Sequence, residues 1–261
     1  MASTQKNREE RSAGEKTALV TGASGGIGLA VVEALLNRAD TARVFAACRQ
    51  PSGSEALQRV AARDDRVAVV SLDVTDSASV MAAAESVGRD GHLDLLINTA
   101  GILHNAAGMR PEKRLADVAA DNLLLAYNVN ALGAMRLAGA FEALLRHSHS
   151  PRFVCLSARV GSIGDNHLGG WYAYRASKAA LNMLLKTLAI EWGRGRPPIV
   201  CAALHPGTVA TELSAPFTGS RPAHTVFAPA EAAGHLLNVI AGLTREHSGG
   251  FYAWDGQAIP W

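Results

Sequence analysis

The segment WYAYRASKAALN, Trp171 to Asn182, sets a tyrosine and a lysine four residues apart, at Tyr174 and Lys178, in a run otherwise rich in alanine and leucine. On a helix that spacing puts both side chains on one face, within reach of each other. A phenol held beside an ammonium group has the makings of acid–base chemistry. The same pair would also suit a core tyrosine with a lysine reaching past it to water. The elements that position the pair decide between the two.

A second chemical signal lies near the start. The run KTALVTGA leads directly into TGASGGIGLAVVEALL, which places Gly22, Gly26 and Gly28 in a turn and on the first positions of an apolar helix. Glycine permits a tight turn and a close backbone approach, while a helix N-terminus offers unpaired N–H groups and partial positive charge, so a pyrophosphate fits there. The spacing is G-x-x-x-G-x-G, not the G-x-G-x-x-G of the dinucleotide fingerprint. About 20 residues further on, an NAD-binding unit offers a carboxylate to the adenosine ribose and an NADP-binding unit offers an arginine. Here the second strand ends in AACRQ, and Arg49 suits a 2′-phosphate. The third strand ends in SLDVTD, where Asp73 is a candidate for the adenine amino group; capping of the next helix by Asp73, Thr75 or Asp76 is the competing role.

Seven short β-branched or apolar runs recur: KTALVTGA, ARVFAACR, RVAVVSLDV, HLDLLINTAG, PRFVCLSA, PPIVCAALHPG and GGFYAWDG. Their lack of polar alternation marks strands buried on both faces, and the Ala/Leu-rich segments between most of them make βαβ units. Right-handed crossovers then give an α/β fold: a single-domain, Rossmann-like, doubly wound sheet of about seven mainly parallel strands with helices on both faces. With no linker or repeat in view, residues 17–261 are expected to form one domain after a polar, disordered tail of residues 1–16. Two irregular segments after strands, Ile102 to Arg114 and Ser214 to Pro229, should border a pocket at the carboxyl ends of the strands, the second as a candidate lid.

Composition narrows the partners. The chain has 261 residues, 48% of them hydrophobic and 18% charged, with a net charge of +2 and no long Lys/Arg run, which argues against nucleic acid and polybasic membrane contacts. No apolar run is long enough to cross a bilayer, and the polar opening residues are not expected to act as a secretion signal. Cys48, Cys155 and Cys201 fall in strand-like runs without CxxC spacing and read as reduced core residues of a cytoplasmic protein. The histidines have no zinc-type spacing, so no metal site is expected.

Together the motifs resemble those of the short-chain dehydrogenase/reductase family in its single-domain form. They are TGASGGIG (Thr21 to Gly28), LDV (Leu72 to Val74), NTAG (Asn98 to Gly101), NVNALG (Asn128 to Gly133), YRASK (Tyr174 to Lys178) and HPGTVAT (His205 to Thr211). Their order and spacing cover nearly the whole chain beyond the tail. The segments GGWYAYRASKAALN and GGFYAWDGQAIPW resemble the C-factor and sniffer-type carbonyl reductase branch.

The resemblance implies NADPH-dependent reduction of an aldehyde or ketone, or oxidation of the matching alcohol, with hydride passing to or from C4 of the nicotinamide. Tyr174 would be the general acid/base, Lys178 would lower its pKa and hold the nicotinamide ribose, and Asn130 would position a water in a proton relay. Cofactor contacts are implied for Gly22, Ser24, Gly26, Ile27, Gly28, Arg49, Asp73, Val74, Asn98, Ala100, Gly101, Tyr174, Lys178, Pro206, Gly207, Val209 and Thr211. Two departures stand out. Thr99 replaces the second asparagine common before AG, and in LSARVGS the usual catalytic serine falls on Ala158, leaving Ser157, or else Ser162, to polarise the substrate oxygen. An NAD-linked alcohol dehydrogenase and a dinucleotide-binding signalling module with little turnover are the competing readings. His104, Asn166, Trp171 and Phe217 are candidates for the pocket wall. The helix from Tyr172 to Trp192 is apolar over more than one stripe, which points to a homodimer or homotetramer.

Overall fold

A computed structural model describes residues 15–146, 151–195, 197–219, 222 and 225–261. Most of the expected polar tail, residues 1–14, lies outside the described residues, and Lys16 belongs to the first strand rather than to that tail.

The seven apolar runs form β1 (Lys16–Thr21), β2 (Thr41–Cys48), β3 (Val67–Ser71), β4 (Leu95–Asn98), β5 (Arg152–Leu156), β6 (Val200–His205) and β7 (Gly250–Ala253). They make one sheet in the order β3-β2-β1-β4-β5-β6-β7. Every neighbouring pair is parallel, β6 and β7 included, so the sheet is parallel throughout rather than mainly so. The strand order reverses between β1 and β4, and in such sheets a crevice opens there beyond the carboxyl ends.

The helices are α1 (Gly26–Leu36), α2 (Glu55–Arg63), α3 (Ser77–Gly88), α4 (Ala120–Tyr127), α5 (Gly133–Leu145), α6 (Tyr172–Gly193), the short α7 (Ala215–Thr218) and α8 (Pro229–Gly242). Successive strand residues face opposite ways, so each strand feeds two cores. Leu19, Phe45, Phe153 and Cys201 pack with Val87, Phe141, Leu185 and Trp192 from α3, α5 and α6. Their neighbours Val20, Val44, Val154 and Val200 pack with Val32, Leu57 and Leu236 from α1, α2 and α8 on the other side. The three cysteines are free and buried within these strands. No described helix is long and apolar enough to cross a membrane.

Candidate active site

The glycine turn is built by close contact. Gly22 has a φ of +70° and Gly26 of +53°, a region side chains rarely adopt. At Gly28 a Cβ would stand 2.2 Å from the Gly22 carbonyl oxygen, so only glycine lets α1 start against the end of β1. Gly25 caps α1 without a side-chain hydrogen bond, and no acidic residue occupies the first turn. The N–H groups there face the groove uncapped, which is the donor set an anionic pyrophosphate needs.

Thr99, the departure in NTAG, supports this turn. Its hydroxyl donates to the Thr21 carbonyl at 2.6 Å, and its Oγ1 is 2.7 Å from where a Cβ on Gly22 or Gly28 would be. Asn98 is buried, its Oδ1 accepting from the Thr21 hydroxyl at 2.6 Å and from the Ala100 N–H at 3.2 Å. Both residues fix the strand ends on which the turn rests.

Beyond the turn lies a hollow of about 670 Å³ lined by Ser24, Arg49, Gln50, Gly53, Ser54, Glu55, Ala56 and Asp73. Ser54 joins it to the turn, donating to the Ser24 carbonyl at 2.8 Å while capping α2. Arg49 is exposed at its edge. Asp73 accepts from the Thr75 N–H and hydroxyl; partial burial raises its pKa, but these bonds and the charges of Arg49 and Arg136 hold it below the usual carboxylate range. Asp76, not Asp73, caps α3 through the Ala78 N–H. The Asp73 carboxylate therefore stays at the hollow. Val74 is buried against Gly133 and is not among the residues lining it.

On the other side of Ser24 a cavity of about 550 Å³ is lined by Gly22, Gly26, Ile27, Gly28, Thr99, Gly101, Ser157, Tyr174, Lys178, Pro206 and Thr211, among others. It joins motifs up to 189 residues apart in sequence, Gly22 to Thr211, and a Cβ on Gly26 would lie 3.2 Å from Thr211 Cγ2. Gly207 turns at φ +80° against Phe227 and Trp254, and Val209 bridges to Phe227, pinning both ends of the segment that carries Thr211 and α7.

Lys178 is buried, with Nζ donating to the Leu156 carbonyl at 2.8 Å and standing 5.7 Å from the Tyr174 ring centroid. Burial pushes the Tyr174 phenol up to about 12 and the Lys178 ammonium down to about 8. Burial thus sets the direction of both shifts in the free protein. The Lys178 Nζ is turned to the end of β5 and the face of the ring, and desolvation of the phenolate dominates.

Between α4 and α5 the helix opens into a π-turn, Asn128–Leu132, a feature often found where a helix serves a site. It presents Asn130, whose Oδ1 accepts from the Ile102 N–H at 2.8 Å. Its Nδ2 donates to the Ile102 carbonyl at 2.9 Å and to Ser177 Oγ at 3.0 Å, and Ser177 in turn donates to the Tyr174 carbonyl. The Asn130 amide thus ties the segment after β4 to α6.

Of the serine candidates, Ser157 lines the cavity with Tyr174, while Ser162 is buried outside that lining and accepts from the Asp165 N–H. The Ser157 hydroxyl donates to Asn182 Oδ1 at 2.7 Å. Among the wall candidates, Trp171, Phe217 and His104 come together beside Tyr174. Trp171 lies 6.2 Å from Tyr174 and 5.0 Å from Phe217, and Phe217 lies 5.9 Å from His104, centroid to centroid. His104 Nε2 also sits 3.1 Å from the Leu213 carbonyl, and its contact with Phe217 joins the two irregular segments next to the cavity, whose lining includes Leu213 but none of these three rings. Asn166 is exposed instead, accepting from the Gly169 N–H. Part of the lid candidate, residues 220, 221, 223 and 224, lies outside the described residues. No group of three or more metal-ligating side chains occurs among the described residues.

A doubly wound parallel sheet with a glycine turn at its switch point and a Tyr–Lys pair across the same cavity defines a nucleotide-binding oxidoreductase scaffold. The chain belongs to the short-chain dehydrogenase family, whose model matches residues 16–221. Over 172 residues it is 37% identical to the C-signal of Myxococcus xanthus, covering 66% of this chain and 94% of that protein. It superposes on an NADPH-bound carbonyl reductase from chicken fatty liver with a TM-score of 0.85 at 34% identity, over 95% of this chain and all (100%) of the other. With the carbonyl reductase Sniffer of D. melanogaster the TM-score is 0.83 at 28% identity, with coverage of 95% and 100%. The protein is therefore an oxidoreductase of this family, similar to its C-signal and Sniffer-type members.

Proposed function

We propose that this protein reduces an aldehyde or ketone at the expense of NADPH. One observation carries the reading: a single cavity holds the glycine turn, Tyr174, Lys178 and Ser157. The NADPH bound in the chicken relative supports the choice of cofactor. The glycine turn, Asn98 to Gly101 and Pro206 to Thr211 would hold the dinucleotide, and Arg49 with Asp73 its adenosine end. When bound, the nicotinamide supplies the hydride.

The residues of this chain handle the oxygen. A phenol pushed up to about 12 is protonated at neutral pH, so Tyr174 is ready to give a proton to a substrate oxygen as negative charge develops there. Lys178 places positive charge beside the phenolate left behind, and keeps that charge until the pH rises through about 8. Ser157 would polarise the carbonyl by turning its hydroxyl from Asn182 to the substrate. Asn130 would position a water of the proton relay while its amide stays bonded to Ile102 and Ser177.

Arg49→Ala tests the cofactor. Loss of a guanidinium–phosphate contact should weaken NADPH binding about tenfold to a hundredfold and leave NADH binding nearly unchanged. Fluorescence titration with each nucleotide measures both. Equal weakening of both would remove the 2′-phosphate role and favour an NAD-linked enzyme.

A homodimer is also proposed, through α4 and α6. Leu124 is 65% exposed, Met183 66% and Ile190 52%, and apolar residues of this size on adjoining helices form a face suited to a second copy. Light scattering at micromolar concentration should give twice the chain mass; a monomer would contradict this.

A further inference from the structure

Immediately before α6 the backbone runs through three consecutive left-handed residues, Gly169 at φ +63°, Gly170 at +64° and Trp171 at +54°. Trp171 is the one non-glycine residue with positive φ among the described residues. A bulky side chain persists there only where its surroundings impose it, and such outliers cluster at functional sites. What imposes it is Glu112, from the irregular segment after β4. The Glu112 carbonyl accepts the Trp171 N–H, and its Oε2 accepts the Ala173 N–H of the first turn of α6 at 3.2 Å. A Cβ on Gly170 would lie 3.2 Å from that same carbonyl, so the turn and Glu112 fit face to face. Arg175 closes the other side, donating to the Gly170 carbonyl at 3.0 Å.

Glu112 is only 3% exposed, and its Oε1 is buried without a hydrogen-bond partner. A buried carboxyl with an unpaired oxygen is unfavourable for stability alone, and a residue of that kind is kept where it fixes a conformation. The conformation fixed here decides where the indole goes, beside Tyr174 and against Phe217.

We propose that Glu112 is a positioning residue that sets the left-handed turn, and that Trp171, so placed, determines specificity by giving the substrate pocket a flat aromatic wall selecting planar, conjugated carbonyl compounds. This rests on the carbonyl-reductase reading for its substrate class. An aromatic ring offered to Trp171 and Phe217 gains offset or edge contacts that a saturated chain does not.

The test compares benzaldehyde with hexanal in steady-state kinetics, and acetophenone with 2-hexanone in calorimetric binding to the NADP⁺-loaded protein. The native protein is expected to favour the aromatic member in both. Trp171→Ala should lower the aromatic-over-aliphatic ratio of kcat/KM about tenfold, mainly through KM. Glu112→Ala should lower it in the same direction, and Glu112→Gln, which keeps an acceptor oxygen for the Ala173 N–H, should restore most of it. Should Glu112→Ala fail to fold, the Gln variant and Trp171→Ala still read the ratio. Absence of aromatic preference in the native protein, or equal losses for both substrates in the variants, would overturn the proposal. Selective acetophenone binding without turnover of any carbonyl would uphold the aromatic wall and overturn the reductase instead.

Discussion

Tyr174→Phe is expected to keep the fold and bind NADPH with little change, yet lose carbonyl reduction by about a thousandfold. The ring still packs at 6.2 Å from Trp171 and under the Lys178 ammonium, because those contacts involve its face and edge and not its hydroxyl. The phenolic O–H is satisfied by no protein side chain among the described hydrogen bonds, so its removal leaves no buried partner stranded. What is lost is the proton donor. General acid catalysis contributes about 10²- to 10⁴-fold, or roughly 3 to 5 kcal/mol of barrier. Single-turnover oxidation of bound NADPH measures the chemical step apart from binding. A Phe variant within a few-fold of the native rate would show that another group, or water, delivers the proton.

Gly28→Ala should remove dinucleotide binding almost completely, by about a hundredfold or more in affinity. The added methyl would be 2.2 Å from the Gly22 oxygen and 2.7 Å from Thr99 Oγ1, so α1 must move away from the end of β1. Gly22 cannot yield, since its own conformation is left-handed and its space is bounded by Thr99. Overpacking of this kind costs about 1 to 3 kcal/mol of stability, which should lower the melting temperature without unfolding the chain. Nucleotide titration and a thermal melt separate the two effects. Unaltered NADPH affinity would mean that the dinucleotide does not approach this turn.

The fold was legible because its signals are local and redundant. Seven apolar runs, each lacking polar alternation, become the seven parallel strands, and the glycines between β1 and α1 mark the turn whatever lies elsewhere. Motif order likewise brought Tyr174, Lys178, Ser157 and the glycines to one cavity. Burial was not legible: the sequence shows Lys178 four residues from Tyr174 but not that Nζ bonds the Leu156 carbonyl, nor that burial pushes the phenol up.

Glu112 was invisible for a related reason. In MRPEKR it reads as one charge of a solvated run, and only the three-dimensional path of the segment, with Met109 packed on Ala126 and Ala173, carries it under the N-terminus of α6. Thr99 presents the opposite case. It departs from the family pattern, yet a hydroxyl of the right length still reaches the Thr21 carbonyl and braces the turn. Asn166 sits in a loop close to Trp171 in sequence, but its amide serves the Gly169 turn at the surface, a local bond that the spacing of residues does not reveal.

The most direct measurement is NADPH absorbance during incubation with a panel of aldehydes and ketones, with product alcohol quantified in parallel. Cofactor oxidation matched one to one by alcohol is expected for at least some of the panel, faster with NADPH than with NADH. Tight NADPH binding with no oxidation above the protein-free rate across the whole panel would contradict the reductase reading, and would leave a dinucleotide-binding module with little turnover in its place.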